Sequence, residues 1–68
     1  MNMKISLKAA RVNANLTQSE VAKKLRKNKQ TIVNWEKGKT SMDAANFAAL
    51  CKLYNIEEDY IFLPTKLA

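Results

Sequence analysis

The stretch LTQSEVAKKLRKNKQTIVNWEKGKT, residues 16–40, decides how this chain folds. Thr17-Gln18-Ser19-Glu20 fits a capping box: the Thr17 hydroxyl can accept from the Glu20 backbone, and the Glu20 side chain can reach back to the Thr17 N–H. Val21, Ala22 and Leu25 then give the apolar face of a short helix over about 17–25. Asn28 is a new start signal, so Arg26-Lys27-Asn28 is predicted as a turn. Ile32 and Trp35 mark the buried side of a following helix over about 29–36, which Gly38 ends near the left-handed position. Two helices of about eight residues, joined by a three-residue turn and with the small Ala22 where they must cross, have the geometry of a helix-turn-helix.

The flanks read as helical too. Leu7, Ala10, Arg11 and Ala14 predict an amphipathic helix over about 5–13, ended by Asn15. Thr40, Ser41 and Asp43 offer caps for a helix whose stripe is Phe47, Leu50, Cys51 and Tyr54 at i, i+3, i+4 and i+7, ended by Asn55. Glu57, Glu58 and Asp59 suit the positive end of a fifth helix carrying Tyr60, Ile61 and Phe62, closed by Pro64, with 65–68 as a frayed tail. The expected fold class is all-α, five short helices around one core in a single domain spanning 1–68, with an ordered core of about 5–63. One Gly and one Pro in 68 residues argue against a turn-rich sandwich or barrel.

Composition narrows the chemistry. A chain this short buries only about 60% of its unfolded surface, too little for a deep cleft between lobes. There is no His, and Cys51 is the single Cys, so metal sites and Ser-His or Cys-His catalysis lack their usual residues. No catalytic, metal or cofactor site is expected, and no small-molecule effector. No apolar stretch spans a membrane and MNMKISLKAA has no signal-peptide apolar region, which makes a reducing, cytoplasmic setting the expectation by default.

Charge is uneven. Residues 1–40 hold ten Lys/Arg against two acids, residues 41–68 two Lys against four acids, for a net +6. A polarised basic half points to an anionic partner such as nucleic acid, although basic domains are also basic simply for solubility. The exposed face of the third helix reads Lys29, Gln30, Val33, Asn34. The major groove offers matching edges: guanine O6/N7 for Lys, adenine N6/N7 for Gln or Asn, the thymine methyl for a short apolar side chain.

Leu16-Thr17-Gln18, Ala22, Ile32, Glu36 and Gly38, taken with their spacing, resemble the helix-turn-helix of the lambda-repressor/Cro-like (Xre-type) regulators. The similarity reaches from Arg11 to the segment NIEEDYIFL, about residues 5–63. The resemblance implies a lambda-repressor-like fold and a sequence-specific regulator of double-stranded DNA, a small repressor of phage or bacterial origin. It implies base-facing roles for Lys29, Gln30 and Val33, and a base or backbone role for Asn34. Gln18 matches a phosphate-gripping position. Asn28, Lys37, Lys39 and Thr40 join it as backbone contacts. Arg11 and Glu36 match a structural ion pair, with direct phosphate binding the other reading of Arg11. Tyr60 and Ile61 match core positions, which leaves Phe62 over as a candidate dimer surface.

Departures from the family pattern are Arg26 where Gly is common at the turn, Met42 where Pro is common, and Asn15 and Asn55 in place of glycines. Trp35 reads as core packing or as a stacking group, Lys23, Lys24 and Lys27 as phosphate contacts or a solvated face, and Cys51 as core. Glu57-Glu58-Asp59 fits helix N-terminal charge better than metal binding, because adjacent helical residues do not share a face. The expected partners are an operator with inverted half-sites and a second copy held weakly and with DNA's help. Two other readings remain: an antitoxin whose acidic 41–68 half holds a toxin, and a helical interaction module without nucleic acid.

Overall fold

Ser6 sets the start of the first helix. Its hydroxyl accepts from the Ala9 N–H at 3.0 Å, which caps α1 (Leu7–Asn13) two residues later than the apolar spacing alone implies. In this computed structural model, which describes residues 3–68, three more helices follow: α2 (Gln18–Leu25), α3 (Lys29–Lys37) and α4 (Ala44–Tyr54). The predicted box is present in full, with Glu20 N to Thr17 Oγ1 at 3.0 Å and Thr17 N to Glu20 Oε1 at 2.9 Å. Those bonds hold the Glu20 carboxyl below its ordinary pKa. Asp43 caps α4 by accepting from Asn46 N at 2.7 Å. Asn28 stands at the cap of α3 but makes no side-chain capping bond.

All four helices stop in the same way. Asn15, Arg26, Gly38 and Asn55 take left-handed backbone, with φ of 60°, 57°, 74° and 55°. In each case the next N–H reaches back five residues, as in Lys27 N to Ala22 O at 2.8 Å and Lys39 N to Asn34 O at 2.9 Å. Orphan carbonyls are thus satisfied at every helix end. The turn between α2 and α3 therefore keeps the geometry that Gly would favour, with Arg26 occupying it. A left-handed L-residue costs roughly 1–2 kcal/mol, and a Gly would return part of that gain as unfolded-state entropy. Arg26→Gly is therefore expected to raise the melting temperature by a few degrees, corresponding to about 0.5–1 kcal/mol. A thermal melt at or below wild type would mean that the Arg26 side chain makes a stabilising contact of its own.

The expected fifth helix is not formed. Residues Glu58–Tyr60 make one 3-10 turn, and the chain then extends as β2 (Ile61–Phe62). It pairs in parallel with β1 (Ile5–Ser6), in the register Ile5 with Ile61 and Ser6 with Phe62. The fold is thus four helices with a small strand pair rather than five helices. Glu57 is already extended, and Pro64 disfavours helical backbone at Leu63, so fewer than two turns were available to nucleate a helix. Tyr60-Ile61-Phe62 is instead a β-favouring run beside unpaired backbone at Ile5 and Ser6.

The alternation of the strand decides burial. Ile61 is buried, while Tyr60 is 42% and Phe62 60% exposed, so Tyr60 is not the core residue expected of it. The core joins Leu7 and Ala10 of α1, Val21 and Ala22 of α2, Ile32 and Trp35 of α3, Phe47, Leu50, Cys51 and Tyr54 of α4, Ile61, and Met42 from the loop before α4. Burial pushes the Cys51 thiol up to about 11, as suits a packing residue.

The tail also departs from expectation. Ala68 N donates to Met42 O at 2.9 Å, and Pro64 lies so close to Gly38 that a Cβ there would meet Pro64 Cβ at 2.8 Å. Residues 64–68 therefore lie against the loop between α3 and α4 instead of fraying.

Candidate nucleic-acid interface

A buried polar network sets the relative placement of the first three helices. Arg11 Nε on α1 donates to Glu36 Oε2 on α3 at 2.7 Å, and Arg11 Nη2 to Glu36 Oε1 at 3.3 Å. Arg11 Nη1 donates to Leu16 O at 2.9 Å, in the loop that leads into α2. Gln18 Nε2, at the start of α2, donates to Glu36 Oε1 at 3.0 Å. The two charged side chains are 10% and 6% exposed. Hydrogen bonding to Glu36 raises the Arg11 pKa against the opposing effect of burial. Burial first, and the Glu36 carboxylate next, push the Tyr54 hydroxyl up to about 12, so it stays neutral beside the pair. Among the described residues no buried side-chain polar atom lacks a partner.

Gln18 is therefore not a free side chain. One amide hydrogen is committed to Glu36, and an amide NH₂ carries two, so a second donor is left. Gln18 lines a recess of about 260 Å³ together with Lys8, Arg11, Val33, Glu36 and Lys37. Three residues singled out from the sequence as DNA contacts, Gln18, Val33 and Lys37, are thus brought together around the Arg11–Glu36 pair. Lys8 is a cation that sequence reasoning missed. Its signal was its place three residues before Arg11, on one side of α1.

Along α3, Ile32 and Trp35 are buried, so Trp35 is spent on core packing. The other side carries Lys29 and Gln30, both exposed, and Val33 and Asn34, both half-buried. Gln30 Nε2 donates to Asn34 Oδ1 at 2.9 Å, one helical turn apart. Asn28 is exposed at the N-terminal end of α3, while exposed Lys39 and Thr40 follow its C-terminal end beyond Gly38. Phe62 lies elsewhere, on a cavity of about 450 Å³ lined also by Lys4, Phe47, Glu58, Leu63, Pro64 and Leu67 among others. The two cavities share no lining residue.

Arg11–Glu36 is the one salt bridge among the described residues. Of the ten Lys/Arg in residues 1–40, the nine other than Arg11 therefore form no salt bridge. Lys23, Lys24, Arg26, Lys27, Lys29, Lys37 and Lys39 are all exposed, which leaves a net positive field on this half of the chain. Among the described residues no three His, Cys, Asp or Glu side chains are grouped to hold a metal, and no helix is long and apolar enough to cross a membrane.

The family described as helix-turn-helix matches residues 7–61. No curated protein and no solved structure matches the chain significantly.

Proposed function

This chain belongs to the helix-turn-helix family, of the Xre and lambda-repressor type, whose members are DNA-binding regulators, and we propose that it is a small sequence-specific repressor acting in the cytoplasm. The observation that carries the reading is α3. Its inner side is locked into the core by Ile32 and Trp35, and its outer side offers Lys29 and the amides of Gln30 and Asn34 to solvent. In the proposed mechanism α3 enters the major groove and α2 lies across the phosphate backbone. Lys29, Gln30, Val33 and Asn34 form the base-facing set. Gln18, Asn28, Lys37, Lys39 and Thr40 grip the backbone, with Lys8 added because it shares the recess of Gln18 and Lys37. Occlusion of a promoter follows from occupancy, with no catalytic step.

Two copies on inverted half-sites are proposed to meet through exposed Phe62, weakly in solution and assisted by DNA. A second reading rests on the acidic half of the chain. Its exposed Glu57, Glu58 and Asp59 suit a basic protein partner such as a toxin, and a stoichiometric basic protein in pull-downs would favour it.

The deciding experiment is selection from a random duplex library. The expected product is a pair of inverted half-sites about 10 base pairs apart, or a multiple of that. Gln30→Ala is expected to cost about 1–3 kcal/mol on the best site and to relax preference at one base pair. Lys39→Ala should weaken all sequences alike. Enrichment of no sequence over the starting pool would remove the reading, and a changed preference in Lys39→Ala alone would exchange the two roles.

A further inference from the structure

Two contacts of the tail bracket the loop that leaves α3. We infer that residues 64–68 position this loop, with Pro64 as the positioning residue for the phosphate contacts of Lys39 and Thr40; this rests on the DNA-backbone roles proposed above. Pro64 lies against Gly38, and Ala68 N donates to Met42 O at 2.9 Å. Lys39 and Thr40, both exposed, sit between those two points. Lys39 N is tied to Asn34 O at 2.9 Å as part of the α3 cap, and the Met42 side chain is buried in the core. Among the described residues, Thr40 and Ser41 make no backbone hydrogen bond, and the bond from Ala68 is the one that ties residues 40–42 to another segment.

The residue at position 38 points the same way. The helices end in left-handed backbone, and Asn15, Arg26 and Asn55 adopt it without being glycine. A positive φ alone therefore does not call for glycine in this chain. At Gly38 a Cβ would meet Pro64 Cβ at 2.8 Å and Cγ at 3.1 Å, inside the roughly 3.5–4.0 Å at which carbon atoms pack. The one Gly of the chain thus stands where its one Pro packs. The ring fixes φ at Pro64, so the tail meets the loop with a stiff segment. A loop ordered before binding has less freedom to lose when Lys39 and Thr40 meet phosphate.

The test uses two variants, each shown by thermal melting to be folded at the assay temperature. Pro64→Gly keeps the tail but removes the ring, and a chain ending at Pro64 removes the bond to Met42 O. Fluorescence anisotropy reads binding to a selected half-site duplex and to a duplex of unrelated sequence. Each variant should bind both duplexes about threefold to tenfold more weakly, the range for ordering one long side chain on binding. In a Lys39→Ala, Thr40→Ala background the same changes should weaken binding by less than about twofold, because the tail then has nothing to position. In the DNA-free protein, the backbone amide order parameters of Lys39, Thr40 and Ser41 should fall from the rigid range of about 0.85 toward about 0.6.

Unchanged affinity in both variants, or unchanged order parameters, would overturn the inference while leaving the DNA-binding function intact. Equal losses in the two backgrounds would do the same, by making the tail a support of the whole fold. So would an equal loss in Lys66→Ala, by making the tail a phosphate contact in its own right. If Lys39→Ala, Thr40→Ala binds as tightly as wild type, or wild type binds no duplex, the proposed backbone roles fall, and this inference with them.

Discussion

Arg11→Met is expected to lower the stability of the chain by about 3 kcal/mol or more, because it leaves the Glu36 carboxylate buried without its cation. The Glu36 side chain is 6% exposed, and Arg11 meets it through two of its nitrogens, at 2.7 and 3.3 Å. Gln18 remains as a donor to Glu36, but a neutral amide does not compensate a buried charge. A domain of this length has a total stability of only about 3–10 kcal/mol, so the variant should be substantially unfolded at moderate temperature. The companion variant separates burial from mere contact. Arg11→Met with Glu36→Leu removes both charges and should recover much of the loss, as apolar replacements of buried ion pairs commonly do. Recovery should stop short of wild type, since Leu16 O also loses the N–H of Arg11 at 2.9 Å and Gln18 loses its acceptor. Urea melts read all three proteins. A single variant with the midpoint of wild type would mean that the pair is hydrated and contributes little.

The same network shows what could be read from the sequence and what could not. The capping box at Thr17 and Glu20 and the stripe of α4 are local signals that lead directly to the observed elements, while the choice of Asp43 among the three caps offered, Thr40, Ser41 and Asp43, comes from the structure. The breaks at Asn15, Gly38 and Asn55 are legible for the same reason, because these residues tolerate left-handed backbone. Arg26 adopts that conformation against its own preference, imposed by the packing of α2 on α3. The strand pair is the main miss. Two residues per strand carry no periodicity, and a parallel partner 56 positions away, Ile5 against Ile61, leaves no trace in local pattern. Glu57-Glu58-Asp59 is good helix N-terminal chemistry, but Pro64 leaves too few residues to use it.

At the candidate interface the outer residues of α3 were accessible from spacing alone. Their bond was not, since an i, i+4 amide pair on a helix is as often solvated as joined. Lys8 escaped because, Arg11 apart, its neighbours in the recess come from α2 and α3, ten or more residues away in sequence. The contact of Pro64 with Gly38 is another long-range fact: each residue was read as a helix terminator, and neither pointed to the other.

Binding to DNA is expected to fall by about one and a half orders of magnitude between 50 and 200 mM salt, on the assumption that the three backbone lysines of each copy, Lys8, Lys37 and Lys39, neutralise one phosphate apiece. Each neutralised phosphate contributes roughly −0.9 to the slope of log K against log salt, so one copy on a half-site should give a slope of about −3. The premise is that these cations form no salt bridge: Arg11–Glu36 is the one salt bridge among the described residues, and Glu36 is occupied by it. Charge placement makes the prediction specific to one side of the molecule. Lys39→Ala and Lys8→Ala should each make the slope shallower by about one unit and weaken all sequences alike. Lys52 lies on α4 and Lys66 in the tail, within the half that carries four of the six acids, so Lys52→Ala and Lys66→Ala should leave the slope as it is. Fluorescence anisotropy on a single half-site duplex, repeated across salt, separates these cases without the complication of dimerisation. Affinity that stays flat with salt would remove phosphate contact as the main source of binding. A slope lost equally in Lys52→Ala and Lys39→Ala would place DNA against α4 as well, which a domain reading the groove through α3 alone does not permit.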